Sequence, residues 1–226
     1  DALRFMGILA FKSGNHDIAE AMLTKALKLD PTYSLVWANL AQVFSVTGQL
    51  DKAKKSFKNI LSMEPKNGLI WAEYGTVLTK LANYDEGRDA YLKALEFKPD
   101  SPRVHLSLGH VYKTMGEIDN SIDSYKNTIL QNNLSGEAYW SLANLKTYSF
   151  SENEIKDMED TLKGDMSDIE RSQMHFALGK AYEVKKDFDK SFKNYYEGNK
   201  VKKGLIKYSS DDTTDNTKRI LNFFNK

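Results

Sequence analysis

The stretch from Pro31 to Pro65 reads PTYSLVWANLAQVFSVTGQLDKAKKSFKNILSMEP. Each half carries apolar residues at three- and four-residue steps, the spacing of one helical face, and the two halves meet at Thr47-Gly48. Pro99 continues the interval of 34 residues set by Pro31 and Pro65, so three of the four prolines lie on one grid. At that period Met6-Gly7, Leu40-Ala41, Tyr74-Gly75 and Leu108-Gly109 coincide, followed by Ala10, Phe44, Leu78 and Tyr112. The second halves align Ala19, Ala53, Gly87 and Ser121, then Leu23, Phe57, Tyr91 and Tyr125, then Ala26, Ile60, Ala94 and Thr128. Turn residues fall between them at one phase: Ser13-Gly14-Asn15, Thr47-Gly48, Ala82-Asn83 and Met115-Gly116. Every unit therefore predicts helix, short turn, helix, with small residues where helices approach closely. Trp37, Trp71, Tyr74, Tyr91 and Tyr125 are expected to fill the space between stacked helices.

The pattern resembles the tetratricopeptide repeat, whose consensus places an aromatic, Leu-Gly, Tyr, Ala, Phe, Ala and Pro at these offsets. The resemblance implies an all-α, right-handed superhelical solenoid of about six helix-turn-helix units. It covers residues 1–133 as four regular repeats and 134–206 as two irregular ones, with 207–226 as a C-terminal capping segment on a single continuous solenoid. The fifth unit starts in phase at Ala138–Ala143 but loses phase after Lys146. Ser151 with Glu154 then reads as a capping box opening a helix over Glu152–Lys163, which Gly164 ends. The sixth unit, Ser172 to about Lys203, restores the pattern with Leu178-Gly179, Tyr182, a turn at Lys185–Asp187, Ser191 and Tyr195, and its second helix runs past the usual stop. Ser209–Asp212 reads as a polar loop or cap and Thr217–Phe224 as a short amphipathic helix, carrying Ile220, Leu221 and Phe224, suited to cover the last repeat's open face.

Composition narrows the function. The chain has 226 residues, and 32 Lys and Arg against 31 Asp and Glu leave no global field for gripping a phosphate backbone, so nucleic acid is not an expected partner. No apolar run approaches the length of a membrane span. The lack of cysteine removes disulfides, thiolate zinc sites and cysteine nucleophiles, and fits a cytoplasmic location. The chain opens at Asp1 inside an amphipathic run, which reads as a piece of a longer protein.

Catalytic constellations are not found. His16, His105, His110 and His175 form no metal-spaced pair, no glycine-rich phosphate loop exists, and no serine sits in a nucleophile elbow, so neither metal nor cofactor nor catalytic residue is expected. His105 and His175 share one repeat offset and read as structural, and Asp157, Glu159 and Asp160 as a solvated acidic face. A self-contained enzyme would have to place its site around Lys146, Tyr148 and His175, without a nucleophile and base at suitable spacing.

Binding belongs instead to the concave face that the first helices of the units line. The offsets place Phe11, Asn39, Gln42, Thr76, Lys80, His110, Lys113, Trp140, Asn144 and Lys180 there, together with Arg4, Ile8, Lys12, Val46, Arg103 and Tyr148. Amides, cations and a few aromatics suit an extended peptide or a neighbouring protein domain. The residues do not complete the two-carboxylate clamp of chaperone-tail receptors, because Leu69 and Glu73 stand where its cations belong. Asn39 is likewise the single rung of an asparagine ladder, its equivalents being Glu73, Ser107 and Ser141.

Two strings, Glu137–Thr147 with Phe150-Ser151, and His175–Tyr182 with Asp187–Phe192 and Tyr196–Asn199, are similar to the repeat region of bacterial tetratricopeptide-sulfotransferase proteins. That resemblance implies an attached catalytic domain using the sulfate donor 3′-phosphoadenylyl sulfate, whose Gly-Thr-Thr type loop is missing here. Trp140, Asn144, Lys146 and Asn199 would then face that domain. The expected function is a protein- or peptide-binding module, with a free-standing scaffold or adaptor that self-associates as a homodimer or bridges partners as the alternative.

Overall fold

The computed structural model describes residues 1–206, 214–215, 217–219, 221 and 223. Twelve helices run through Leu205, and no strand occurs among the described residues. The chain divides into two compact units, Asp1–Gln131 and Asn132–Lys226.

In the first unit the predicted units are four helical hairpins: α1 (Ala2–Lys12) with α2 (His16–Leu29), α3 (Ser34–Val46) with α4 (Leu50–Met63), α5 (Gly68–Lys80) with α6 (Tyr84–Phe97), and α7 (Pro102–Met115) with α8 (Ile118–Gln131). The second helices α2, α4 and α6 also pack on the first helix of the next hairpin, and first helices approach one another directly, α1 to α3 and α5 to α7. The core is continuous, from Ala19, Leu23 and Val36 through Phe44, Phe57 and Tyr74 to Ala90. Tyr91, Ala94, Val104, Leu108 and Val111 form the next cluster.

Each turn between paired helices needs one residue at positive φ. Gly14, Gly48 and Gly116 supply it at 77°, 75° and 81°, and at the equivalent place Ala82 is held at 59°. The 34-residue period also recurs as a hydrogen bond. Trp37 Nε1 donates to the Pro31 carbonyl and Trp71 Nε1 to the Pro65 carbonyl, each at 2.8 Å. His105 stands at the third such position and bonds the backbone of Pro99.

Close approach explains the small residues. A Cβ added to Gly75 would lie 2.8 Å from the Tyr91 ring, and one added to Gly109 2.4 Å from the Tyr125 ring. The hydroxyl of buried Ser121, where other units carry Ala or Gly, donates to the Gly109 carbonyl at 2.9 Å, so a polar side chain enters the core already satisfied.

The second unit holds α9 (Gly136–Ala143), α10 (Glu152–Thr161), α11 (Asp168–Val184) and α12 (Phe188–Leu205). Here α9 stops after 8 residues, where the Asn144 side chain bonds back to the Trp140 carbonyl at 2.8 Å. The chain then turns through buried Leu145 and Phe150, and α10 starts on the predicted capping box, with the Glu154 amide on the Ser151 hydroxyl and the Ser151 amide on the Glu154 carboxylate. It ends at Thr161, short of the expected Lys163. Both α9 and α10 pack on α11, which pairs with α12. The latter runs for 18 residues, longer than the 14 of the second helices in the first unit, as the sequence suggested. Its turn uses Lys186 at φ 62°.

The proposed loop at Ser209–Asp212 lies outside the described residues, as do Ile220 and Phe224 of the expected capping helix. Thr217–Arg219 and Leu221 are helical, and the Leu221 side chain is exposed.

Candidate functional site

The direct neighbouring of α5 and α7 leaves a depression of about 330 Å³ between them, lined in part by buried Tyr91 and Val111 and by Tyr84. Four sequence-predicted residues, Thr76, Lys80, Arg103 and His110, meet there. Thr79, Ser107 and Thr114 add hydroxyls that the offsets had not singled out. Glu73 reaches across to Arg103 at 3.0 Å, spanning the two helices. The sign of that pair was legible in the sequence, but its partners lie 30 residues apart and are brought together by the stacking of α5 and α7.

Thr76 and His110 share one repeat offset and do one job. The Thr76 hydroxyl lies 3.1 Å from the Tyr91 hydroxyl, and His110 Nδ1 lies 2.9 Å from that of Tyr125. Both are half-buried, so each faces the depression while anchoring the second helix of its own hairpin. Lys80, Gln42 and Lys113 are exposed and Asn39 is half-buried. Phe11 packs inward against the core, its ring 5.4 Å from that of His16.

Trp140, Asn144 and Lys180, with Tyr148, lie in the second unit. Trp140 packs its ring 5.6 Å from Phe176, Asn144 caps α9, and Lys180 pairs with Glu183 at 2.8 Å. Asn199 is similarly turned onto its own helix, donating to the Tyr195 carbonyl at 2.8 Å.

Residues that would have to cooperate in a catalytic site are held by separate partners. Tyr148 donates to Glu154, whereas His175 Nδ1 lies 3.0 Å from Asn194 on α12. Burial, then the bond to Glu154, pushes the Tyr148 phenol up, and burial, followed by the nearby charges of Asp157 and Glu154, raises Tyr139 to about 12. Tyr195 also rises to about 12, through burial and then Glu183. These phenols keep their protons at neutral pH, and those of Tyr148 and Tyr195 act as donors to Glu154 and Glu183. Asp157, Glu159 and Asp160 are exposed, as expected of a solvated acidic face, and Glu159 in addition accepts the Tyr182 hydroxyl at 2.6 Å and so ties α10 to α11. Asp160 pairs with Lys163 at 2.6 Å. No group of three or more His, Asp or Glu able to hold a metal occurs among the described residues, and no helix there is long and apolar enough to cross a membrane.

The sequence missed Glu170. Its carboxylate accepts the amides of Gly136 and Glu137 at the start of α9, the first of which also reaches the Leu134 carbonyl at 2.8 Å. A Cβ on Gly136 would sit 2.2 Å from the Glu170 carbonyl oxygen, so the glycine admits this contact. A free-standing Glu three residues after Ser167 reads as an ordinary capping residue of α11, which hides the longer-range role.

Residues 10–56 match a model described as tetratricopeptide repeat, and residues 75–116 one described as TPR repeat. This is a tetratricopeptide-repeat fold. No match is found among curated protein sequences. Among solved structures, MamA is similar at 20% identity and TM-score 0.59 over 90% of this chain and 98% of its own. The pilF protein of Pseudomonas aeruginosa gives 21% and 0.64 over 86% and 87%. YrrB, titled a TPR protein with an unusual peptide-binding site, gives 18% and 0.58 over 84% and 88%. At these identities the likeness is one of tetratricopeptide fold.

Proposed function

We propose that the chain is a non-catalytic interaction module that binds an extended peptide, or an extended segment of a protein, across the first helices of its first unit. The observation that carries this reading is the depression between α5 and α7, where Thr76, Lys80, Arg103, Ser107 and His110 converge from two successive repeats. A groove of hydroxyls, amides and cations can pair with a peptide backbone and its side chains without chemistry of its own. The peptide site named for YrrB supports the use of this fold for such binding.

The test is a peptide selected from a random display library against the intact chain. Its affinity, read by fluorescence anisotropy, should fall about tenfold or more in a Lys80→Ala/Lys113→Ala variant. The same pair of changes at exposed Lys55 and Lys58 of α4 should leave it unchanged. The opposite ranking would overturn the reading.

A second reading, self-association into a scaffold, draws on one observation: Phe188, Phe192 and Tyr196 form a stripe along α12 that is 66%, 73% and 58% exposed. A sedimentation mass that stays monomeric at increasing concentration argues against it. An attached sulfotransferase domain, a bacterial source and a cytoplasmic location rest on the sequence resemblance and the cysteine-free composition alone. Translation of the gene beyond Lys226 tests the first of these.

A further inference from the structure

We infer that the groove of the first unit is selective for acidic extended segments; this rests on the peptide-binding reading above and names its ligand class. The first helices and the second helices of the four hairpins differ in charge. Across α1, α3, α5 and α7 the Lys and Arg residues are Arg4, Lys12, Lys80, Arg103 and Lys113, against the single carboxylate of Glu73. Across α2, α4, α6 and α8, nine carboxylates balance nine Lys and Arg. The parent chain is close to neutral, so the imbalance is local to the inner helices.

Lysines without an ion pair among the described residues occur on both sets, Lys25, Lys28, Lys55, Lys58 and Lys93 on the second helices as well as three on the first, so the contrast lies in the carboxylates, nine against one. The second helices tie hairpin to hairpin through Lys52 with Glu20 and Lys54 with Glu86. On the first helices Arg4 is paired with Asp1 and Arg103 with Glu73, whereas Lys12, Lys80 and Lys113 make no ion pair among the described residues. Packing does not call for this arrangement, because the second helices build the same kind of hairpin at charge parity. Like charges along one face repel, and a ligand of opposite sign relieves that repulsion.

Geometry sets a spacing for the ligand. Packed helix axes lie about 8–10 Å apart, and an extended chain advances about 3.3 Å per residue. Carboxylates three residues apart therefore match cations on successive first helices, Lys80 on α5 and Lys113 on α7. A single-stranded nucleic acid is the less favoured occupant, because the depression offers mostly hydroxyls, and Tyr91 in its lining is buried and bound to Thr76 rather than open for base stacking.

The experiment titrates the intact chain with three labelled nonapeptides of one Gly, Ser and Ala background carrying Glu, Gln or Lys at every third position. A labelled oligothymidylate serves as the fourth probe. The Glu peptide should bind about tenfold or more tighter than the Gln peptide, and should weaken as salt rises from about 0.1 M to about 1 M, where the Debye length falls from about 10 Å to about 3 Å. Lys80→Glu/Lys113→Glu should move the preference to the Lys peptide while leaving the helical circular dichroism unchanged. Equal binding of the Glu and Gln peptides overturns the acidic selectivity. So does a library-selected neutral or basic peptide that is lost on Lys80→Ala/Lys113→Ala, and that result leaves the peptide reading standing. Oligothymidylate binding in place of the Glu peptide overturns both, as does failure of every designed and selected peptide to bind the groove.

Discussion

Tyr125 is fully buried with its ring against Gly109, where a Cβ would lie 2.4 Å away, and its hydroxyl meets His110 Nδ1 at 2.9 Å. One side chain of α8 thus sets both how closely α7 approaches and how a groove residue on α7 is oriented. Gly109→Ala should destabilise the first unit by about 1–3 kcal/mol through overpacking. Tyr125→Phe, which keeps the ring and loses the hydroxyl, should cost about 0.5–1.5 kcal/mol. Urea unfolding followed by circular dichroism gives both values, and a Tyr125→Phe cost larger than that of Gly109→Ala would reverse the assigned order.

Ala82 occupies a left-handed turn position that Gly14, Gly48 and Gly116 fill elsewhere. A non-glycine residue in that conformation costs about 1–2 kcal/mol, and glycine's greater freedom in the unfolded chain offsets about 0.5–1 kcal/mol of the relief. Ala82→Gly should therefore raise the melting temperature by a net gain of up to about 1 kcal/mol, and Gly48→Ala should lower it. Stabilisation by Gly48→Ala would contradict the turn assignment.

His105 replaces the tryptophan of the preceding two repeats, and its imidazole is held below the usual histidine range, mainly by burial and in spite of the bond to the Pro99 backbone. The unfolded chain then takes up this proton more readily than the folded one, so stability from neutral His105 is present above about pH 6.5 and declines as pH falls below it toward the depressed folded value. His105→Trp restores the repeat's own indole and removes the titrating group. Across thermal melts between about pH 7.5 and pH 5.5, the native chain should lose more stability than this variant. Parallel pH dependences would show that His105 does not contribute.

Glu170 holds the first amides of α9 from a different helix. Glu170→Ala should remove this charged acceptor and leave the Gly136 amide on the Leu134 carbonyl alone, at a cost of about 1.5–3 kcal/mol for bonds to a charged acceptor. Hydrogen exchange of α9 should quicken while that of α3 and α5 in the first unit stays unchanged. An unchanged α9 would show that Glu170 does not hold the start of this helix.

The regular repeats were legible because their signals are redundant. Pro31, Pro65 and Pro99, the turn glycines and the Gly75–Tyr91 and Gly109–Tyr125 pairs each give the same period, so one misread residue changes nothing. The second unit was legible only in outline. The capping box at Ser151 is a local signal and was readable, whereas the docking of α9 on α11 through Glu170 and Gly136 depends on residues 34 apart with no periodic counterpart. Groove positions were partly legible for a related reason. Repeat offset identifies which residues stand on the first helices, and it brought Thr76, Lys80 and His110 to one depression. It does not show which way a side chain turns, so Phe11 and Asn144 were assigned outward although one packs into the core and the other caps its own helix.

The central claim is that ligands lie across the first helices of the first unit. It is tested most directly by placing a photo-crosslinking amino acid at exposed Gln42 or Lys113, and separately at exposed Lys55 or Lys58 on α4, and irradiating each with the selected peptide. Crosslinks at Gln42 and Lys113 alone are the predicted result; crosslinks at Lys55 and Lys58 with none at Gln42 and Lys113 would contradict it.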